Sequence, residues 1–145
     1  MQSQRPSLLR VISTDYPSYL SVLFPIVFGG FSLYFFVAGN DAVRLFLPLA
    51  IAATVIGIPV LVQRYRIISS VFAEGAQTKG IVTSLSFFRG RGRAEYSYTF
   101  QGEKQVSSNA INKNSRTRKL RVGEAVTVLV DRNNPKRAFI REIYL

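Results

Sequence analysis

Two long apolar runs dominate the first half of the chain. The segment from Tyr16 to Asn40 contains no charged side chain, and neither does the segment from Leu45 to Val62. A helix needs about 20 mostly apolar residues to cross a bilayer, because the hydrocarbon layer is roughly 30 Å thick and each residue rises about 1.5 Å. The pattern therefore predicts a transmembrane helical hairpin over residues 16–62, with helices at about residues 16–38 and 45–62.

Small residues in the two runs predict how the helices pack. Lipid provides no hydrophobic force between helices, so close approach through small side chains is what joins them. Large aromatic side chains occupy the remaining positions of the first helix, where we expect them to face lipid or a partner. The expected helix-packing residues are Ser21, Pro25 and Gly29 on the first helix and Ala50, Ala53 and Gly57 on the second.

The hydrophobic period changes after the second run. Residues 63–74 keep a helical pattern and predict a juxtamembrane helix that runs along the interface and stops at Gly75. Beyond Gly75 the period becomes two, with Tyr96, Tyr98 and Phe100 on one strand face that we expect to fill a core. Strands are predicted at residues 78–88, 94–100, 104–111, 125–130 and 137–144.

These elements predict a membrane protein of the α+β class. The hairpin precedes a small five-stranded antiparallel β-barrel or sandwich, SH3-like or OB-like, over residues 75–145. Residues 1–15 are short and polar and are expected to form a cytoplasmic tail.

The charge of the chain is concentrated in the predicted β-domain. Sixteen of the 19 basic residues and six of the eight acidic residues follow Val62, so this part carries +10 of the formal net charge of +11. Basic residues favour the cytoplasmic side of a membrane, so we expect both termini in the cytoplasm and residues 39–44 outside. The expected location is the inner membrane of a bacterium, or an internal membrane.

The C-terminal half resembles a family of bacterial membrane proteins described as a domain of unknown function. The resemblance is carried by Gly80-Ile81-Val82, by the strand from Tyr96 to Phe100 with its glycine turn, by Val122–Val128, and by the Asp131–Pro135 turn with Ala138 beyond it. Val130 and Arg132 stand where the family often has Tyr and Pro. The resemblance implies one or two apolar helices followed by a small β-domain, and it implies no reaction.

Two groups of basic residues are candidate binding sites for an anion or a partner. Arg89, Arg91 and Arg93 alternate with glycines in a predicted hairpin loop, and Lys113, Arg116, Arg118, Lys119 and Arg121 lie in a second loop. Because the domain is tethered to the bilayer, anionic lipid headgroups or an acidic partner subunit are the favoured ligands. Nucleic acid ranks lower, since it would need Tyr96 and Tyr98 as a stacking platform. A solvated basic surface without a ligand is the plain alternative.

The inventory of catalytic groups is poor. The chain has no cysteine and no histidine, which removes the commonest general base, the commonest metal ligand and all thiolate chemistry. No two carboxylates have a recognised catalytic spacing, and we predict no catalytic residues, no metal site and no cofactor. Asp131 is better placed to cap the turn that contains Asn134-Pro135.

These observations favour a non-catalytic accessory membrane protein, a small subunit or stabilising factor of a larger membrane complex. Its expected partners are the lipid bilayer and other membrane protein subunits. The alternative function is a membrane-tethered binding module for anionic lipid headgroups or nucleic acid.

Overall fold

The computed structural model describes residues 5–145 of the chain. The elements in chain order are α1 (Leu8–Thr14), α2 (Tyr16–Val37), α3 (Val43–Glu74), β1 (Ala76–Phe88), β2 (Arg91–Phe100), β3 (Glu103–Asn112), a 3₁₀ turn (Thr117–Lys119), β4 (Ala125–Val130), β5 (Ala138–Ile140) and α4 (Arg141–Tyr144). Residues 5–16 and 65–145 form one compact unit, the β-domain, and residues 17–64 form a second, the helical hairpin.

Among the described residues, α2 and α3 are the helices long and apolar enough to cross a membrane. Helix α3 has 32 residues and is about 48 Å long, which exceeds the roughly 30 Å of a hydrocarbon layer. The predicted juxtamembrane residues 63–74 are helical and form the last part of α3. The helix continues unbroken, and Ile68, Val71 and Phe72 are buried in the core of the β-domain, because their apolar face has a sheet to cover.

The hairpin helices meet at one small residue. A side chain on Gly57 would collide with the backbone carbonyl oxygen of Ser21 and would lie 3.4 Å from Cγ of Pro25. Gly57, Ser21 and Pro25 are therefore the predicted packing residues that the structure brings together. Ala50 and Ala53 are half-buried. Gly29 has open space where a Cβ would stand.

Aromatic rings make the second contact of the hairpin. The ring of Phe46 on α3 lies 5.1 Å from the ring of Phe35 and 5.3 Å from that of Phe31, both on α2. Phe28 is 6.5 Å away in the same cluster. Ring pairs at these separations stabilise a contact beyond the area they bury. Part of the phenylalanine set thus joins the helices instead of facing outward, whereas Phe36 remains 72% exposed.

Within the described residues the five strands form one antiparallel sheet in the order β3-β2-β1-β4-β5. The sheet curls into a nearly closed barrel, which confirms the predicted architecture. Tyr96 and Tyr98 point into its core, as their alternation predicted. The predicted last strand is shorter than expected: β5 ends at Ile140, and α4 follows, so that Ile143 and Tyr144 are buried from a helical turn.

Side chains close the barrel between β3 and β5. The hydroxyl of Tyr96 donates a hydrogen bond to the carbonyl oxygen of Ala138 (2.6 Å) and lies 2.8 Å from Oδ1 of Asn109. The Asn109 amide donates to the same carbonyl oxygen at 3.1 Å. The Tyr98 hydroxyl donates to the carbonyl oxygen of Pro135.

The first described residues belong to the β-domain. Sequence analysis treated residues 1–15 as a polar tail, but α1 packs on the domain and buries Val11 and Thr14 completely or nearly so. Asn112 and Asn114 donate amide hydrogen bonds to the carbonyl oxygen of Ser13 at 3.3 and 3.1 Å. A local hydrophobic pattern could not show this, because the partners lie about a hundred residues away.

Gly57→Ala is expected to destabilise the hairpin, by about 1–3 kcal/mol, because the added methyl group forces the helices apart. Gly29→Ala is the matched control, since the same methyl group there enters open space. Denaturation of the full chain in mixed micelles, followed by circular dichroism, measures both. Equal stability of the two variants would contradict the observed crossing.

Val11→Ala is expected to destabilise the β-domain by about 1–3 kcal/mol, because it leaves a cavity at a fully buried position. Leu9→Ala, in the same helix but at a position that is 78% exposed, should change stability by less than about 0.5 kcal/mol. Hydrogen exchange of the β-domain amides reports the difference. A Val11→Ala variant as stable as Leu9→Ala would show that α1 is not part of the domain core.

Candidate functional site

The predicted basic loop at residues 89–93 is the tip of a tight hairpin. Arg89 and Gly90 form its two-residue turn with φ angles of +47° and +87°, which is the type I′ geometry that suits the twist of antiparallel strands. Strand β2 begins directly afterwards, so Arg91 and Arg93 are strand residues rather than loop residues. Their side chains share the outer face of the sheet, because the inner face is taken by Ala94 and Tyr96.

Gly92 lies within the strand for a reason of packing. A Cβ there would collide with the ring of Phe87 and would lie 2.6 Å from the carbonyl oxygen of Ser86. The missing side chain therefore lets the Phe87 ring lie across β2 on the inner face of the sheet, opposite the face that carries the two exposed arginines. Gly92, which was predicted to lie in a hairpin loop, is instead a strand residue at a close approach of two strands.

Cations and aromatic rings are interleaved at this tip. The guanidinium groups of Arg89 and Arg91 lie 5.3 and 5.9 Å from the centre of the Phe88 ring. The ammonium group of Lys113 lies 5.9 Å from the Phe87 ring. Each such contact contributes about 0.5–1 kcal/mol at an exposed site. The hairpin-tip cluster, as we name it, consists of Phe87, Phe88, Arg89, Arg91, Arg93 and Lys113.

Lys113 joins the cluster through its backbone. Its amide donates a 2.7 Å hydrogen bond to the carbonyl oxygen of Gly90, so the start of the second basic loop is held against the hairpin turn. The two groups of basic residues were predicted as separate sites, and this hydrogen bond connects them.

An open groove of about 390 Å³ runs beside the tip. Its walls include Tyr16, Phe88, Arg91 and Arg93, and Ala110 contributes to its lining. Tyr16 is the first residue of α2. The groove therefore contains the residue at which the chain enters its first apolar helix.

The remaining basic candidates lie on the loop after Lys113. Asn114 shapes this loop by accepting hydrogen bonds from the amides of Arg116 (3.0 Å) and Thr117 (2.9 Å). Thr117 is fully buried and anchors the 3₁₀ turn. Arg118, Lys119 and Arg121 are exposed and Arg116 is half-buried, and none of the four lines the groove.

The eight predicted basic side chains lack carboxylate partners. Among residues 5–145, none of them lies within ion-pair distance of an Asp or Glu side chain; the described pairs there include Arg137 with Asp131 at 3.3 Å. A local excess of positive charge raises the concentration of anions beside the surface. Among the described residues, the basic side chains of the tip therefore form no close ion pair.

A second groove, of about 330 Å³, contains two carboxylates. Glu74 and Asp131 line it together with Arg132. Asp131 is held by its own turn, since Oδ1 accepts the Asn133 amide at 2.9 Å and Oδ2 accepts from Arg137. In the part of the chain that the structure describes, no three metal-ligating side chains converge.

The two core tyrosines are unavailable for stacking on bases. Tyr96 is fully buried and Tyr98 is 3% exposed, so the platform that would have favoured nucleic acid is inside the barrel. Burial raises the pKa of both phenols, because the charged phenolate is poorly solvated there.

The sequence profile of a domain of unknown function, DUF3592, matches residues 66–142. The chain belongs to the DUF3592 family. The resemblance found in the sequence is thereby confirmed for the C-terminal half. The DUF3592 segment begins within α3 and ends in α4, so α1 and the hairpin lie outside it. No curated protein and no solved structure gave a significant match to the chain.

The aromatic members of the cluster were missed by sequence analysis. Phe87 and Phe88 were predicted only as strand residues, and Tyr16 only as the first residue of the first apolar run. The available signal was the pair of phenylalanines directly before Arg89-Gly90, because a type I′ turn there places Phe88 opposite Arg91.

Raising the pH above 10 is expected to destabilise the β-domain through Tyr96. Its folded-state pKa lies above its ordinary value of 10.0. The contribution of Tyr96 to the free energy of unfolding is therefore fully present below pH 10. It decreases as the pH rises above 10, by up to about 1.4 kcal/mol per pH unit for each such group. Denaturant unfolding at several pH values, with tyrosinate absorbance as a second readout, measures this.

Tyr96→Phe is the control for that titration. It should cost about 1–3 kcal/mol at neutral pH, because the Ala138 carbonyl and Asn109 lose a buried hydrogen-bond partner. Its stability should also fall less steeply above pH 10. An identical alkaline slope in wild type and Tyr96→Phe would contradict the assignment.

Proposed function

We propose that the protein is a non-catalytic accessory membrane protein that stabilises a larger membrane assembly through its hairpin. A groove of about 420 Å³ on α2 supports this proposal most directly. It is apolar and is lined by Ile26, Val27, Gly30, Phe31 and Tyr34. Gly30 has open space where a Cβ would stand, and such a small residue between large ones lets a partner helix approach closely.

The exposed apolar surface of the hairpin agrees with this role. Leu33 and Tyr34 are each 65% exposed, and Val55 on α3 is 67% exposed. A surface of this kind has to be covered by lipid or by another protein, since contiguous apolar patches are costly in water. In the proposal, lipid covers most of it and the partner helix covers the α2 groove.

In this proposal the chain is an integral protein of a bacterial inner membrane or of an internal membrane, with both termini in the cytoplasm. The compact β-domain contains residues from both sides of the hairpin, which suits a chain that crosses the bilayer twice. The basic excess of this domain favours the cytoplasmic side. The absence of histidine and cysteine from the sequence and the structural engagement of Asp131 support a non-catalytic role.

The hairpin-tip cluster favours a second candidate function, a membrane-tethered module that binds anions. Exposed basic residues near an anionic leaflet contribute about 1 kcal/mol each. Buried Tyr96 and Tyr98 weigh against nucleic acid as the ligand. Lipid headgroups are therefore the favoured anion.

Gly30→Leu is expected to release the partner subunit, because its side chain fills the α2 groove. Gly29→Leu is the matched control: it adds the same side chain at the neighbouring position, which also has open space but does not line the groove. Gentle purification from native membranes, with mass determination of the intact assembly, distinguishes the two. A wild-type protein that purifies as a lone monomer, or partner retention in both variants, would contradict the proposal.

A further inference from the structure

The hairpin-tip cluster combines three features that a lipid headgroup site requires. It is positively charged, it carries an exposed aromatic ring, and its groove contains the start of an apolar helix. We propose that the cluster binds the phosphate of an anionic phospholipid headgroup, with the Phe88 ring inserted at the boundary between headgroups and acyl chains. This inference rests on the proposed membrane insertion of the hairpin.

The first observation is that the positive charge of the cluster is complementary to a phosphate group. Arg89 and Arg91 lie against the same exposed ring, that of Phe88, and they have no carboxylate partner among the described residues. Arginine presents several N–H donors in a planar fork that matches phosphate oxygens. A phosphate bound by the two guanidinium groups would offset their mutual repulsion, which the Phe88 ring only partly relieves.

The second observation is the exposure of the Phe88 ring. This ring is 61% exposed at the end of a strand, and it does not belong to the buried core of the domain. Aromatic rings flanked by basic side chains are favoured at the level of the headgroups, where one part can be apolar and the rest wet. The arginine stems beside it can extend the apolar contact while their charged ends remain among phosphates.

The third observation is the position of Tyr16, because it relates the groove to the start of the first apolar helix. Tyr16 lines the groove with Arg91 and Arg93 and is also the first residue of α2. When α2 enters the bilayer, its first residue lies at the membrane surface. The groove is then at headgroup level, which favours a lipid phosphate over a soluble anion.

The test uses the full chain, reconstituted in nanodiscs that contain this protein alone. The sequence has no tryptophan, so Phe88→Trp creates a single fluorescent reporter at the tip. We expect emission at shorter wavelength and quenching by brominated acyl chains, both stronger when phosphatidylglycerol is added to phosphatidylcholine. Val106→Trp is the control, because Val106 is equally exposed at 61% but lies toward the opposite end of the sheet.

Charge variants in the Phe88→Trp background test the ligand. Changing Arg89, Arg91, Arg93 and Lys113 to Gln should raise the phosphatidylglycerol content needed for half of the effect by about tenfold. The matched control changes Lys79, Lys104, Arg132 and Lys136 to Gln, which removes the same charge from exposed positions elsewhere. Arg89→Asn, which suits a positive φ, and Arg91→Gln repeat the test singly, in case the fourfold variant fails to fold.

Several results would overturn the inference. One is a Phe88→Trp reporter that remains in water in both lipid mixtures while the chain is inserted. Equal losses in the two fourfold variants, or a stronger response to RNA than to phosphatidylglycerol, would also reject the lipid site. A chain that does not enter the nanodisc would contradict both this inference and the proposed function. Loss of a partner protein in native membranes would leave this inference unaffected.

Discussion

The β-domain depends on one buried hydrogen-bonded junction, in which the Tyr96 hydroxyl and the Asn109 amide share the carbonyl oxygen of Ala138. Strand β5 has only three residues and pairs with β4 alone in the sheet order, so side chains have to draw it toward β3. A buried polar group without a partner is costly, which makes this closure specific as well as stabilising. Closure in turn fixes α4, whose Tyr144 ring packs 5.8 Å from both Phe72 and Phe139. The end of α3 is thereby attached to the barrel.

The sequence predicted those parts of the fold whose cause is local. Uncharged runs indicated α2 and α3, and the alternation at Tyr96, Tyr98 and Phe100 indicated a strand with one buried face. The prediction was wrong where an element is stabilised by residues that are far away in the chain. Helix α1 buries little more than Val11 and Thr14, and its partners are Asn112, Asn114 and Ile143. Strand β2 begins three residues earlier than predicted, because Gly92 is required by the Phe87 ring and not by a flexible loop.

The candidate site illustrates the same division. Its charges were evident from composition, since arginine and lysine are exposed in nearly any fold. How these side chains come together was not evident, because it depends on a backbone hydrogen bond from Lys113 to Gly90 and on the contacts of two guanidinium groups with the Phe88 ring. A periodic pattern assigns a residue to a face of a strand. It does not show which side chains from other segments meet there.

The β-domain contains residues from both sides of the hairpin, and this affects the order in which its parts become available during synthesis. Thr14 hydrogen-bonds to a residue 129 positions later, and both apolar helices lie between them. Synthesis proceeds at about 5–20 residues per second, so α1 leaves the ribosome several seconds before the strands on which it packs exist. During that interval α2 and α3 are synthesised while the buried side chains of α1 have no partner. The core of this domain can therefore be completed only after the strands and α4 have been synthesised.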